Sequence, residues 1–272
     1  MRATKAGGAA LRAGAWVAVL ACLVLLLPAA HGDDVAAQGR QVVDKWQNTV
    51  VTVRLVIKMT MSMGDSGQEE GEHKADINGT VVDPSGLTVV SLSEVDPAEM
   101  YKRMMGGEGP DEPGFNVESK LSDVKLRFAD GTEVPAKVVL RDKDLDLAFV
   151  GPAEKLPKPV PAVDLAQSGA PQLLDPVASL NRLGDSGDWA IAPRIDRVQA
   201  ILTKPRTVYV PQDIDETGTP VFMLDGKIVG ITLVRLPAPG APSTEMSDYG
   251  GLAIILPAAD VLEVAKQALA AG

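Results

Sequence analysis

The chain of 272 residues holds one cysteine and two histidines, and these scarcities bound its chemistry first. Cys22 lies in the apolar stretch Trp16–Leu27, which follows a basic start (Arg2, Lys5, Arg12) and precedes Pro28 and the small-residue segment Ala29-Ala30-His31-Gly32. That order is the one of a secretory signal. The run is shorter than the ~20 residues of a spanning helix, and the apolar residues after Cys22 place it inside the signal core instead of at a lipid-attachment site. Cleavage after Gly32 removes the only cysteine, so an oxidising compartment is permitted and no disulfide is used there. It also removes three basic and no acidic residues, taking the formal charge from −10 to −13. Basic surface is therefore scarce, which argues against nucleic acid and anionic membrane as partners. No tandem repeat of 20–50 residues is evident.

What remains is a pattern of short strands. Asp34–Gln47 has a helical stripe (Val35, Val42, Val43, Trp46) and leads into the Val/Ile/Thr-rich stretch Thr49–Met63, read as a strand. Gly64–Asp76 is polar and acidic and reads as a long hairpin tip. Ile77–Val82 and Leu87–Ser91 flank the turn Asp83-Pro84-Ser85-Gly86. Residues 96–120 contain Gly106-Gly107, Pro110 and Pro113 and read as an exposed insertion, with a short helix around Ala98–Met105. Strands follow at Val124–Phe128, Val134–Leu140 and Leu147–Val150. The Pro-rich 152–161 segment reads as a linker. Beyond it lie strand candidates at Pro176–Leu180, Val198–Thr203, Val208–Val210, Val221–Leu224, Ile228–Val234 and Leu252–Leu256, and an amphipathic helix at Asp260–Ala270. This pattern implies an all-β barrel architecture.

Three segments, in order, resemble the catalytic stations of trypsin-like serine proteases of the HtrA/Deg type. Residues 79–91 (GTVVDPSGLTVVS) are similar to the strand pair leading to the catalytic His, whose position falls on Ser93, with the following Val-Val on Glu94-Val95. Residues 124–139, followed by Asp144-Leu145-Asp146-Leu147-Ala148, resemble the segment of the catalytic Asp and put it on Asp146. Asp215-Glu216-Thr217-Gly218-Thr219-Pro220 resembles the Gly-Asn-Ser-Gly-Gly-Pro nucleophile loop, putting the nucleophile on Thr217 and the oxyanion loop on Asp215, Glu216 and Gly218. The resemblance covers roughly residues 40–270. It implies a two-lobed double β-barrel: a signal peptide at 1–32, a first lobe at 33–150, a second at 151–256 and a terminal helix at 257–272. It ends where that family usually begins a PDZ domain.

The same resemblance withholds the chemistry. A Ser-His-Asp triad needs an imidazole to take the hydroxyl proton and return it to the leaving amine. Ser93 does neither at neutral pH. Thr217 carries a β-methyl that limits its rotamers, and Thr nucleophiles depend on a nearby amine base. Acidic Asp215 stands where a Gly shapes the oxyanion hole, opposing a developing negative charge. The implied function is an exported, periplasmic or extracellular, inactive protease homologue that binds a protein or extended peptide, with no cofactor and no metal.

Other candidates are weaker. Gly184-Asp185-Ser186-Gly187 copies the trypsin-type nucleophile tetrapeptide, but Asp188-Trp189 follows it, so Ser186 reads as a decoy, as does Ser66 in Gly64-Asp65-Ser66-Gly67. His73 reads as a solvated loop residue. An unusual peptidase would pair Thr217 or Ser186 with His73 or a carboxylate. Met59, Met61 and Met63 alternate on one strand face, with Met100, Met104 and Met105 in the insertion. Together with His73 they suggest soft-metal ligands such as those of Cu(I), against a plainer role as adaptable apolar filler. Glu69, Glu70, Glu72 and Asp76 lack EF-hand spacing. N-terminal sequencing of the protein recovered from outside the cytoplasm is expected to begin at Asp33.

Overall fold

The computed structural model describes residues 32–63, 68–98, 100–101, 115–213, 216–235 and 251–271. The chain divides into two units, Met1–Ala37 and Gln38–Gly272, and the site lies in the second. The expected signal sequence falls on residues outside those described, as do Cys22, Ser66, Met104, Met105 and Asp215. Among the described residues no helix is long and apolar enough to cross a membrane.

After helix α1 (Gly32–Trp46) and a 3-10 turn, twelve strands among the described residues form two closed antiparallel barrels. The first consists of β1 (Val50–Met63), β2 (Gln68–Val81), β3 (Thr88–Ser91), β4 (Phe115–Arg127), β5 (Glu133–Asp142) and β6 (Leu147–Pro152), in the order β1-β2-β3-β6-β5-β4. The second consists of β7 (Pro176–Arg182), β8 (Ile191–Leu202), β9 (Val208–Pro211), β10 (Pro220–Met223), β11 (Ile228–Arg235) and β12 (Leu252–Pro257), ordered β10-β11-β12-β9-β8-β7. A short helix α2 (Leu92–Val95) leaves β3, and helix α3 (Ala258–Ala271) closes the chain.

Side-chain alternation builds the first barrel. Val51, Val53, Leu55 and Ile57 point into its core with Ile77, Val90, Leu126, Ala148 and Val150, as the period of two in a strand requires. The intervening faces of β3 and β6 are buried as well, because Val89, Leu147 and Phe149 join a second core shared with Ala178, Leu180, Phe222, Ile231 and Leu256 of the other barrel. This double burial explains why β3 and β6 read in sequence as near-continuous apolar runs. Helix α3 adds Val261, Val264, Ala265 and Ala268 to that shared core, the one-face spacing of an amphipathic helix. Trp46 stacks on Phe222, with centroids 5.3 Å apart, and donates its indole N–H to Gly226 O at 3.0 Å.

Polar seams fix one barrel against the other. Thr80 Oγ1 donates to Gly218 O at 2.9 Å inside the core. The Arg182 guanidinium donates to Val50 O, Gln47 O and Trp189 O at 2.7, 2.8 and 3.0 Å, and its backbone N–H donates to Asn78 Oδ1 at 2.7 Å. Burial lowers the Arg182 pKa, with a smaller contribution from Arg127.

Four expectations change. The expected hairpin tip at Gly64–Asp76 is mostly strand: Gln68–Asp76 pairs with β1 as far as Ser62↔Gln68, since backbone pairing continues where neither face needs to be apolar. The insertion at 96–120 ends earlier for the same reason, Phe115–Lys120 being strand β4 paired with Lys58–Met63 of β1. Strand β8 starts at Ile191 instead of Val198, because the polar Arg194, Asp196 and Arg197 pair with β7. The terminal helix begins at Ala258. Of the helix expected around Ala98–Met105, the part beyond Tyr101 lies outside the described residues.

Gly230 lets β11 and β12 approach: a Cβ built there meets Leu256 O at 1.8 Å. Gly230→Ala is expected to lower stability by about 3 kcal/mol through displaced backbone, read as a fall in the urea midpoint.

Candidate functional site

The corner where β3 ends places a carboxylate at the centre of a hydrogen-bonded bracket. Asp146 adopts a left-handed backbone (φ 56°), a conformation Asp tolerates better than most residues. Its carbonyl accepts the Leu92 N–H at 2.9 Å. Its carboxylate accepts the Ser91 hydroxyl on Oδ2 at 2.6 Å, and on Oδ1 both the Ser93 hydroxyl at 2.6 Å and the Ser93 N–H at 2.8 Å. The structure thus brings Ser93 and Asp146 together at hydrogen-bond distance.

Thr217 sits across the cleft, just before Gly218. Gly218 has φ +71° and so little room that a Cβ would meet Asn78 O at 2.4 Å, which holds this loop to a residue without a side chain. Gly218 N–H donates to Thr232 O at 2.8 Å, and the buried Thr219 and Thr232 hydroxyls lie 2.8 Å apart. The loop is therefore anchored immediately after Thr217.

Helix α2 turns Glu94 toward Thr217. Glu94 Oε2 and Thr217 Oγ1 are both buried, and neither makes a hydrogen bond of full geometry. They nonetheless face each other. Burial raises the Glu94 pKa, the Thr217 hydroxyl draws it partly back, and Glu216 and Asp146 raise it further by charge, leaving it at about 7.

Two depressions flank this point, and both are lined by Ser93 and Val234. One, about 400 Å³, runs past Asp96, Asp144 and Asp146 to Arg206 and Arg235. The other, about 480 Å³, holds Glu94, Glu216 and Thr217 beside an apolar wall that includes Ile57, Met59, Ile77 and Met100. Between them, β10 pairs with β11 only as far as Ile231, and Gly218 and Thr219 cover Thr232. Leu233–Arg235 pair with β12 alone among the named strands.

The model of the trypsin-like peptidase domain matches residues 77–231 of this chain. The chain belongs to the trypsin-like peptidase domain family. Among solved structures it is similar to the HtrA-type protease AlgW with decapeptide, at 12% identity and TM-score 0.53, covering 85% of this chain and 67% of that one. It is also similar to the MamO protease domain from Magnetospirillum magneticum, at 16% identity and TM-score 0.49, covering 81% of this chain and 97% of that one. A search of curated proteins finds none that matches.

Against this peptidase frame, His73 is a correction. It belongs to strand β2, paired with Ile57, and though exposed it lines the same depression as Thr217. The polar flanks that read as loop are simply the solvent side of a long hairpin. Met59 and Met100 line that depression too. Glu69, Glu70, Glu72 and Asp76 are spread along β2, and Asp76 accepts from Arg54 Nε at 3.0 Å. Ser186 occupies an exposed 3-10 turn, Asp185–Gly187, and is not among the residues lining the depression around Thr217. Among the described residues no three His, Cys, Asp or Glu side chains cluster as a metal site.

Sequence reasoning missed Glu94 and Ser91. The available signal for Glu94 was a lone charge in Leu92-Ser93-Glu94-Val95, directly after the buried strand Thr88–Ser91. A carboxyl whose pKa is 4.5 when solvated and about 7 when folded stays protonated longer in the folded state. Its contribution therefore erodes stability as pH rises from 4.5 to 7 and is constant above. Glu94→Gln is expected to abolish that slope and to be more stable than the parent at pH 8 by about 3 kcal/mol, measured by urea unfolding at pH 5 and 8.

Proposed function

We propose that this protein is an exported, catalytically silent member of the trypsin-like peptidase family that holds a protein or extended peptide along the cleft between its barrels. The observation that carries this reading is the state of the Thr217 hydroxyl, which makes no hydrogen bond of full geometry. No hydrogen bond joins it to His73. The carboxylate that would orient an imidazole is instead engaged by Ser91 and Ser93. Glu216 beside Thr217 adds negative charge where an oxyanion would develop, opposing the stabilisation that acyl transfer needs.

What survives loss of the triad is a binding geometry. Leu233–Arg235 offer a backbone edge for strand addition, flanked by two side-chain depressions, and main-chain pairing with alternate pockets is a general mode of extended-peptide capture. The signal-like order of residues 1–32 supports export.

A second reading is favoured by one observation: the Glu94 carboxyl faces Thr217 with a pKa near the physiological range, where general bases work best. Casein incubation separates the two readings. The silent-cleft reading expects intact casein with the parent protein, Thr217→Ala, Ser186→Ala and His73→Ala alike. Turnover lost on Thr217→Ala and Glu94→Gln establishes an atypical peptidase.

A further inference from the structure

Resting on the cleft reading above, we infer that the depression beside Thr217 is a subsite for a lysine or arginine side chain of the bound peptide, with Glu94 as the counter-charge at its floor. Three features lead there. The wall is apolar and long, built from Ile57, Met59, Ala75, Ile77 and Met100, which suits the methylene stem of a long cationic side chain. The floor presents two buried oxygens, Glu94 Oε2 and Thr217 Oγ1, each short of a hydrogen bond of full geometry. An ammonium or guanidinium supplies several donors and no acceptor, so one cationic head satisfies both.

The surrounding charge favours the same ligand. The groups facing Glu94 are Thr217 and Glu216 from the nucleophile-position loop, Asp146 from the turn before β6, His73 from β2 and Tyr101 beyond α2. Among the described residues, β1 contributes Ile57 and Met59. The nearby carboxylates raise the Glu94 pKa, and a bound cation reverses that balance. A neutral apolar ligand leaves the Glu94 and Thr217 oxygens unpaired, and an acidic one adds a like charge. The net charge of −10 steers basic segments toward the protein in the same sense.

Binding of a cation stabilises the Glu94 carboxylate, so it releases a proton below pH 7 and strengthens as pH rises. Isothermal titration with three otherwise identical heptapeptides, Ala-Ala-Val-X-Val-Ala-Ala with X as lysine, norleucine or glutamate, tests this. At pH 8.5 the lysine peptide is expected to bind about tenfold tighter than the norleucine peptide. That advantage shrinks at pH 5.5 and disappears in Glu94→Gln, whose cooperative urea unfolding, measured without peptide, shows that the variant is folded. Norleucine binding equal to or tighter than lysine at both pH values overturns the inference and leaves the cleft reading standing. Failure of all three peptides to bind overturns both.

Discussion

The Asp146 carboxylate is the interaction on which the site depends. By accepting from Ser91, from the Ser93 hydroxyl and from the Ser93 N–H, it ties the end of β3 to the start of α2 across the turn before β6. A charged acceptor makes such bonds about twice as strong as neutral ones. The direction of α2 follows from that bracket, and with it the placement of Glu94 against Thr217. In a working triad a carboxylate at this place orients an imidazole. Here the same carboxylate secures a corner of backbone, and the group it holds is the Ser93 hydroxyl.

Much of the fold was legible because burial leaves periodic marks. β3 and β6 are covered on both faces and read as unbroken apolar runs, while β1 alternates and α3 carries its i, i+3, i+4 stripe. The illegible parts are those where backbone pairing acts without burial. Gln68–Asp76, Phe115–Lys120 and Ile191–Arg197 are strands whose side chains are largely polar, so nothing in their pattern separates them from loops. His73 was misread as loop for that reason, its neighbours being solvent-facing even though the residue lines the depression beside Thr217. The site was half legible. The spacing of Asp146 and Thr217 from the turn motifs located the frame, but Glu94 was counted as a replacement for a valine. Its burial depends on how α2 packs, which no local pattern encodes.

Retention of the barrels without the triad's chemistry makes physical sense if the cleft is a holding surface. The shared core of Val89, Phe149, Phe222, Ile231 and Leu256 and the Thr80–Gly218 seam fix the two lobes independently of Ser93, so changes at the triad positions leave the cleft walls intact. In a silent cleft, as proposed, acidic residues at these positions cost no catalysis. Glu216 and Asp146 raise the affinity of Glu94 for a proton, an arrangement hostile to an oxyanion and receptive to a cation. The peptidase frame and the acidic floor are thus compatible parts of one binding site.

Hydrogen-exchange mass spectrometry with unfolded casein tests the central claim most directly, because it reports ligand position and integrity in one sample. The account predicts slowed exchange at Leu233–Arg235 and around Glu216–Thr217, with casein recovered uncut. Cut casein, or protection confined to other faces of the barrels, contradicts it.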